Sequence, residues 1–141
     1  MIIDHIFIKL EQPWKKEKEF FMEKDLKLCD SDYKFMTIVW ECAPLNSGEL
    51  VTLCKEHLGW KKSTTYTVIK KLTERGFIKN ENATVSVLVK KEDCQAVETD
   101  YFVERTFGGS LPGFLAAFLN SRKLSEAEAE EIKRMIDEHV D

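Results

Sequence analysis

The chain has 141 residues, 43% hydrophobic and 33% charged, with three prolines and six glycines. That supports one domain, or a small domain with an appendage, and excludes collagen-like, linker-like and disordered polymers. The net charge is −4, and no stretch approaches the roughly 18 apolar residues of a membrane span, so no membrane insertion is expected.

The opening residues, Met1 to Lys9, lack a basic stretch followed by a long apolar run, which makes a poor secretion signal. The cytoplasm is the expected compartment. Cys29, Cys42, Cys54 and Cys94 form neither a C-x-x-C nor a C-x-C pair, and His5, His57 and His139 are equally scattered. Neither a disulfide framework, a metal site nor a bound cofactor is expected from this pattern.

Charge becomes informative once divided. Residues 61–91 hold eight Lys/Arg against two acids, whereas residues 92–141 hold five against twelve. This is a basic face on an acidic body, and DNA requires cations only where phosphates lie. Charge alone suits a phosphate-binding face and a merely solvated surface equally well. The elements must decide.

Residues 14–27 are charged with a few aromatics and read as a helix or an arm; Met22 is an alternative translation start. The organised pattern begins near Leu28. Asp30 is expected to cap a helix whose inner stripe is Phe35, Ile38, Val39 and Cys42, before Pro44 breaks it. Asn46 or Ser47 starts a second helix with Leu50, Leu53, Cys54 and Leu58 inside, closed by Gly59. After a short turn, Ser63 or Thr64 caps a third helix that ends at Gly76. Val68, Ile69 and Leu72 face inward, leaving Ser63, Thr64, Thr65, Thr67, Lys70 and Lys71 nearer the outside.

Helix, short turn and a Thr/Lys-rich helix make a helix-turn-helix. Residues 77–79 and 84–89 follow as strands around a turn at residues 80–83, which adds a β-hairpin wing. The remainder is helical and acidic. Val97, Tyr101 and Phe107 lie in one helix. Leu111, Phe114, Leu115, Phe118 and Leu119 recur at helical spacing in the next. Ser125 and Glu128 form a capping box before Ile132, Met135, Ile136 and Val140. Apolar stripes of this strength on short helices need a cover, and a second copy of the chain is the simplest.

The expected fold is therefore mostly α with a small β-hairpin. Residues 1–27 form an extension, 28–91 a winged helix-turn-helix domain and 92–141 a helical dimerisation domain.

In its ordered motifs the chain resembles the BlaI/MecI/CopY penicillinase-repressor family of winged-helix regulators. The likeness rests on Asp30 with Met36–Trp40 and on Leu45-Asn46-Ser47-x-Glu49-Leu50. It continues through Trp60-x-x-Ser63-Thr64-x-x-Thr67-Val68-Ile69-x-x-Leu72, Glu74-Arg75-Gly76 and the Leu124-Ser125 junction. The resemblance implies a homodimeric transcriptional repressor on an operator of two related half-sites. It also implies release through a membrane-bound metalloprotease sensor that triggers cleavage before a Phe, here the bond between Ala117 and Phe118. The family pattern has Asn before that Phe, and the C-x-C pairs of the copper branch are absent. The signal is left open.

Under this reading Thr64 and Thr67 meet base edges or phosphates, with Thr65 beside them and Ser63 at the helix N-terminus. Lys61, Lys62, Lys70 and Lys71 hold phosphates and set register. Tyr66 is either a phosphate contact or core. Lys79 and Asn82 on the wing approach the backbone or minor groove. Tyr101, Leu111, Phe114, Leu115, Phe118, Leu119, Ile132, Met135 and Ile136 form the dimer interface. The alternative is a winged-helix adaptor that binds protein. No motif places a nucleophile beside a base and no glycine-rich phosphate loop occurs, so an enzyme is not expected.

Overall fold

The computed structural model describes residues 25–140. The readings of residues 14–24 and of Met22 lie outside that range. Among the described residues, six helices and three strands follow in order. They are α1 (Asp30–Cys42), β1 (Leu45–Asn46), α2 (Ser47–Leu58), α3 (Lys62–Glu74), β2 (Ile78–Glu81), β3 (Thr84–Val87), α4 (Lys91–Phe107), α5 (Leu111–Ser121) and α6 (Glu126–His139). They gather into two compact units, one ending at Glu98 and one beginning at Thr99.

In the first unit α1 keeps the expected helical spacing but turns a different face inward. The buried positions are Asp32, Phe35, Met36 and Val39, at i, i+3, i+4 and i+7. Ile38 is half-buried and Cys42 exposed, which corrects the predicted stripe. An acid at the head of the inner face hid this register from a hydrophobic count. Cys29, not Asp30, occupies the N-cap, and it makes no side-chain cap bond.

The second helix begins as expected. Asn46 accepts a hydrogen bond from the Gly48 N–H at 2.7 Å, and Gly59 closes the helix in the left-handed region at φ +70°. Leu50 and Cys54 are fully buried. In α3 the inner face is Thr65, Val68, Ile69 and Leu72.

The hairpin acquires a third strand that the sequence reading treated as a helix entry. The sheet order is β1-β3-β2, antiparallel throughout, with Leu45 opposite Val85 and Ile78 opposite Val87. Two residues, Asn82 and Ala83, make the turn at φ +51° and +60°. That is the mirror-image turn that suits the right-handed twist of a hairpin. The Ala83 carbonyl then accepts from the Ser47 N–H at 2.8 Å, joining the tip to the start of α2. The Trp40 indole N–H donates to the Val89 carbonyl at 3.0 Å, fixing the exit of the sheet to α1.

The core of this unit runs from Leu26 to Val97, with Phe35, Phe77, Met36, Leu50 and Leu72 among the fully buried side chains. Each such side chain stabilises the fold by about 1.5–3 kcal/mol of transfer free energy. Cys94 and Val97 of α4 belong to the same core. Helix-turn-helix plus three-stranded wing is the winged helix-turn-helix fold.

In the second unit Ser110 caps α5 by accepting from the Gly113 N–H at 3.0 Å. The predicted capping box of α6 is present. Ser125 Oγ accepts from the Glu128 N–H at 3.1 Å, and the Ser125 N–H donates to Glu128 Oε1 at 3.2 Å. Phe102, Phe107 and Phe114 pack edge-on with centroids 5.7–6.0 Å apart, and Phe118 lies against Phe114 at 6.0 Å.

Candidate nucleic-acid interface

Three neighbours orient α3. Phe35 of α1 stacks on Trp60 in the turn before α3, with centroids 6.1 Å apart and planes 7° apart. Below the first turn, the buried Thr65 hydroxyl donates to the Lys61 carbonyl at 3.4 Å. Burial pushes the Cys54 thiol up from its ordinary range, and a side-chain hydrogen bond with Thr65 pulls it partway back. Along the far flank, Lys71 Nζ lies 2.8 Å from Asp32 Oδ2 of α1.

What remains outward is a polar face. Ser63, Tyr66, Thr67 and Lys70 recur at i, i+3, i+4 and i+7, and all are exposed, as are Lys61, Lys62 and Thr64. Tyr66, which sequence left between core and surface, belongs to this face, with Lys62 Nζ 5.9 Å from its ring centroid. The Thr67 hydroxyl donates to the Ser63 carbonyl at 2.9 Å. Its lone pairs and methyl are therefore what it offers outward.

The first turn of α3 breaks a local rule. It has no side-chain cap and no acid, and it carries Lys62 with Lys61 at the N-cap. Cations at a helix N-terminus oppose its dipole, by about 0.3–1 kcal/mol each at low salt. Uncapped N–H groups with two lysines beside them in sequence are the chemistry of a phosphate contact. Local rules are broken most often where function demands it.

Two expectations need correction. Thr65 was placed toward the outside, but it is fully buried, because its position on the helix is shared with the inner residues Val68, Ile69 and Leu72. Lys71, also expected at phosphates, holds its ammonium against the buried Asp32 carboxylate. The helix also begins at Lys62, one residue before the predicted Ser63 cap.

On the wing, Lys79 and Asn82 are exposed, and Lys79 Nζ lies 3.3 Å from Glu81. A groove between α3 and the sheet is lined by Tyr66, Ile69, Lys70, Thr73, Glu74 and Asn80.

Elsewhere, Cys94 is pushed up to about 11, by burial first and then by Asp93 and Glu98, with Arg75 opposing. Such a thiol stays protonated at neutral pH and is a weak nucleophile. No group of three His, Cys, Asp or Glu able to hold a metal occurs among the described residues. No described helix is long and apolar enough to cross a membrane.

The residues expected at the dimer interface divide in two. Phe114, Leu115 and Phe118 are half-buried, the two Phe rings within their own aromatic cluster. Tyr101, Leu111, Leu119, Ile132, Met135 and Ile136 are exposed. Ala117 is exposed and Phe118 half-buried, and the bond between them lies inside α5.

A winged helix-turn-helix whose third helix turns a cationic, hydroxyl-bearing face outward is the build found in DNA-binding transcription regulators. The penicillinase repressor family matches residues 28–138, most of the chain, and the chain belongs to that family. It is 23% identical over 122 residues to the penicillinase repressor of Bacillus licheniformis, covering 84% of this chain and 95% of that protein. An uncharacterized 16.5 kDa protein of Latilactobacillus sakei is 27% identical over 122 residues, covering 81% of each. Among solved structures, Staphylococcus aureus MarR in complex with salicylate and kanamycin is similar at TM-score 0.43 and 15% identity. That match covers 96% of this chain and 86% of that one.

Proposed function

We propose that this repressor binds, as a cytoplasmic homodimer, an operator of two related half-sites, each read by one copy of α3. The observation that carries the reading is the uncapped, lysine-flanked N-terminus of α3 leading into an exposed Ser/Thr/Lys face. In this reading α3 enters the major groove N-terminus first, away from its acidic end at Glu74. Thr64 and Thr67 meet base edges, where the Thr67 lone pairs suit an adenine or cytosine amino group and its methyl a thymine methyl. Lys61, Lys62, Ser63, Tyr66 and Lys70 hold phosphates and set register. Lys79 and Asn82 of the wing supply a weaker flanking contact.

Residues 28–91 are the reading domain in this proposal, 92–141 the dimerisation domain and 1–27 an extension. The exposed stripes of α5 and α6 support the dimer. Pairing them would bury Leu119, Ile132, Met135 and Ile136 and hold two reading helices a helical turn apart, roughly 34–36 Å, or a multiple of it. Joining the two half-sites makes the second binding step intramolecular, so loss of the dimer releases the DNA.

Proteolysis between Ala117 and Phe118, triggered by a membrane-bound metalloprotease sensor, would act at that step. Ala117 is exposed, but the bond is helical, so such cleavage requires α5 to open locally. Hydrogen exchange faster in α5 than in α3 would support that route, and equal protection would oppose it.

The test of DNA binding is a salt titration on a duplex selected by the chain from a randomised pool. Affinity should fall by about 10³–10⁵ between 50 and 200 mM salt if roughly 6–10 phosphates are neutralised. A flat dependence would favour a protein-binding adaptor.

A further inference from the structure

Lys71 is the cation of α3 that the structure pairs with a buried carboxylate. Its ammonium lies 2.8 Å from Oδ2 of Asp32, a side chain only 3% exposed. Asp32 is the third residue of α1, where an acid commonly turns back to bond the N-cap N–H. Here it turns inward and heads the buried face of its helix. Its other oxygen, Oδ1, is buried without a hydrogen-bond partner among the described residues. A buried carboxylate is costly unless a cation compensates it, so removing that cation leaves an unpaired charge in the core.

The geometry of the pair matters as much as its energy. Around α3, Lys71 lies on the flank, between the inner face of Val68 and Leu72 and the outer face of Thr67 and Lys70. Tethering that flank to α1 fixes the rotation of α3 about its own axis. Stacking of Trp60 on Phe35 restrains the preceding turn from the same helix, α1. Rotating a helix by one residue, about 100°, would replace Thr67 by a core side chain on the outer face.

We infer that Asp32 and Lys71 form a positioning device, which sets the rotational register of the reading helix and so governs discrimination between sequences without touching DNA. This rests on the proposed DNA-reading role of α3. It separates Lys71 from Lys70, its neighbour in sequence, which keeps the phosphate-binding task.

The experiment uses the full chain, a duplex it selects from a randomised pool, and a shuffled duplex of equal length. Measurements are made at a temperature where circular dichroism finds every variant folded. Lys71→Met should reduce the preference for the selected duplex by about tenfold. The slope of log affinity against log salt should stay unchanged, because no phosphate contact is lost. Lys71→Arg should restore the preference. Asp32→Asn should lower it as Lys71→Met does, and the double variant should be no worse than either single one. Lys70→Met should instead flatten the slope by about 0.9 and leave the preference intact.

A Lys71→Met variant with full preference and a flattened slope would overturn the inference and return Lys71 to the phosphates. If the wild-type chain selects no duplex, the DNA-reading proposal falls separately. The pair is then judged from melting curves, where Asp32→Asn and Lys71→Met must be strongly non-additive, and additive losses overturn the tether.

Discussion

The two units of this repressor solve the problem of apolar surface in opposite ways. Up to Glu98, Phe35, Met36, Leu50, Leu72 and Phe77 are closed off from water, and the outward face of α3 is polar. From Thr99 onward no described residue is buried, although α5 reads Leu-Pro-Gly-Phe-Leu-Ala-Ala-Phe-Leu. Leu111, Leu119, Met135 and Ile136 are each about half or more exposed there. One unit completes its core within itself. The other leaves its apolar stripes exposed, which is why dimerisation is proposed for it.

The comparison breaks most visibly at an exposed apolar position. Leu119→Asp and Ile136→Asp change side chains that are half exposed in the protomer, so folding should survive while the proposed dimer is lost. Affinity for a selected duplex should then fall by about 10²–10⁴, the usual gain from linking two binding events. Sedimentation and fluorescence anisotropy on the same samples check both halves. A variant that stays dimeric with normal affinity removes these helices from the interface.

Next in size is a pair of cuts, one in each unit. Phe35→Ala removes a fully buried ring that also supports Trp60, and should cost about 3–5 kcal/mol in a urea melt. Phe114→Ala, tested in the monomeric Leu119→Asp background, removes a half-buried ring and should cost about half as much. Equal losses would mean that the second unit holds a core of its own.

Much of this contrast was legible in the sequence, because periodicity reports helices and turn residues report their ends. Gly59, the Ser125–Glu128 box and the inner residues Val68, Ile69 and Leu72 are all where local rules put them. The misreadings arose where tertiary partners override a residue's type. Asp32 was invisible as a core residue because nothing in sequence announces its pairing with Lys71, thirty-nine positions away. Thr65 was read as a surface threonine, but its hydroxyl is satisfied by the Lys61 carbonyl and Cys54, so it can be buried. Strand β1 has two residues and is defined only by Val85 and Thr84 across from it.

The capping box of α6 offers a smaller test of how independent the second unit's helices are. Ser125→Ala removes the acceptor for the Glu128 N–H and should cost about 1 kcal/mol. The loss should appear as faster amide exchange in the first turn of α6. It should not change the melt of the first unit, and a shared loss would show that the two units unfold together.

The smallest expected effect is a gain, and it lies in the wing. Ala83 holds φ +60° in the two-residue turn of the hairpin, a region that costs a residue with a Cβ about 1–2 kcal/mol. Asn82, at φ +51°, is better suited to that region than alanine. Glycine at 83 would relieve the strain while keeping the carbonyl that accepts from Ser47. Part of the relief is offset, because glycine adds about 0.4–1 kcal/mol of unfolded-state entropy. Ala83→Gly should therefore stabilise the first unit by about 0.5–1 kcal/mol, and Ala83→Val should destabilise it, since branching at Cβ worsens the same clash. Urea midpoints for the two variants decide the matter. A glycine variant no more stable than wild type would mean that the turn relaxes in solution to a conformation alanine tolerates.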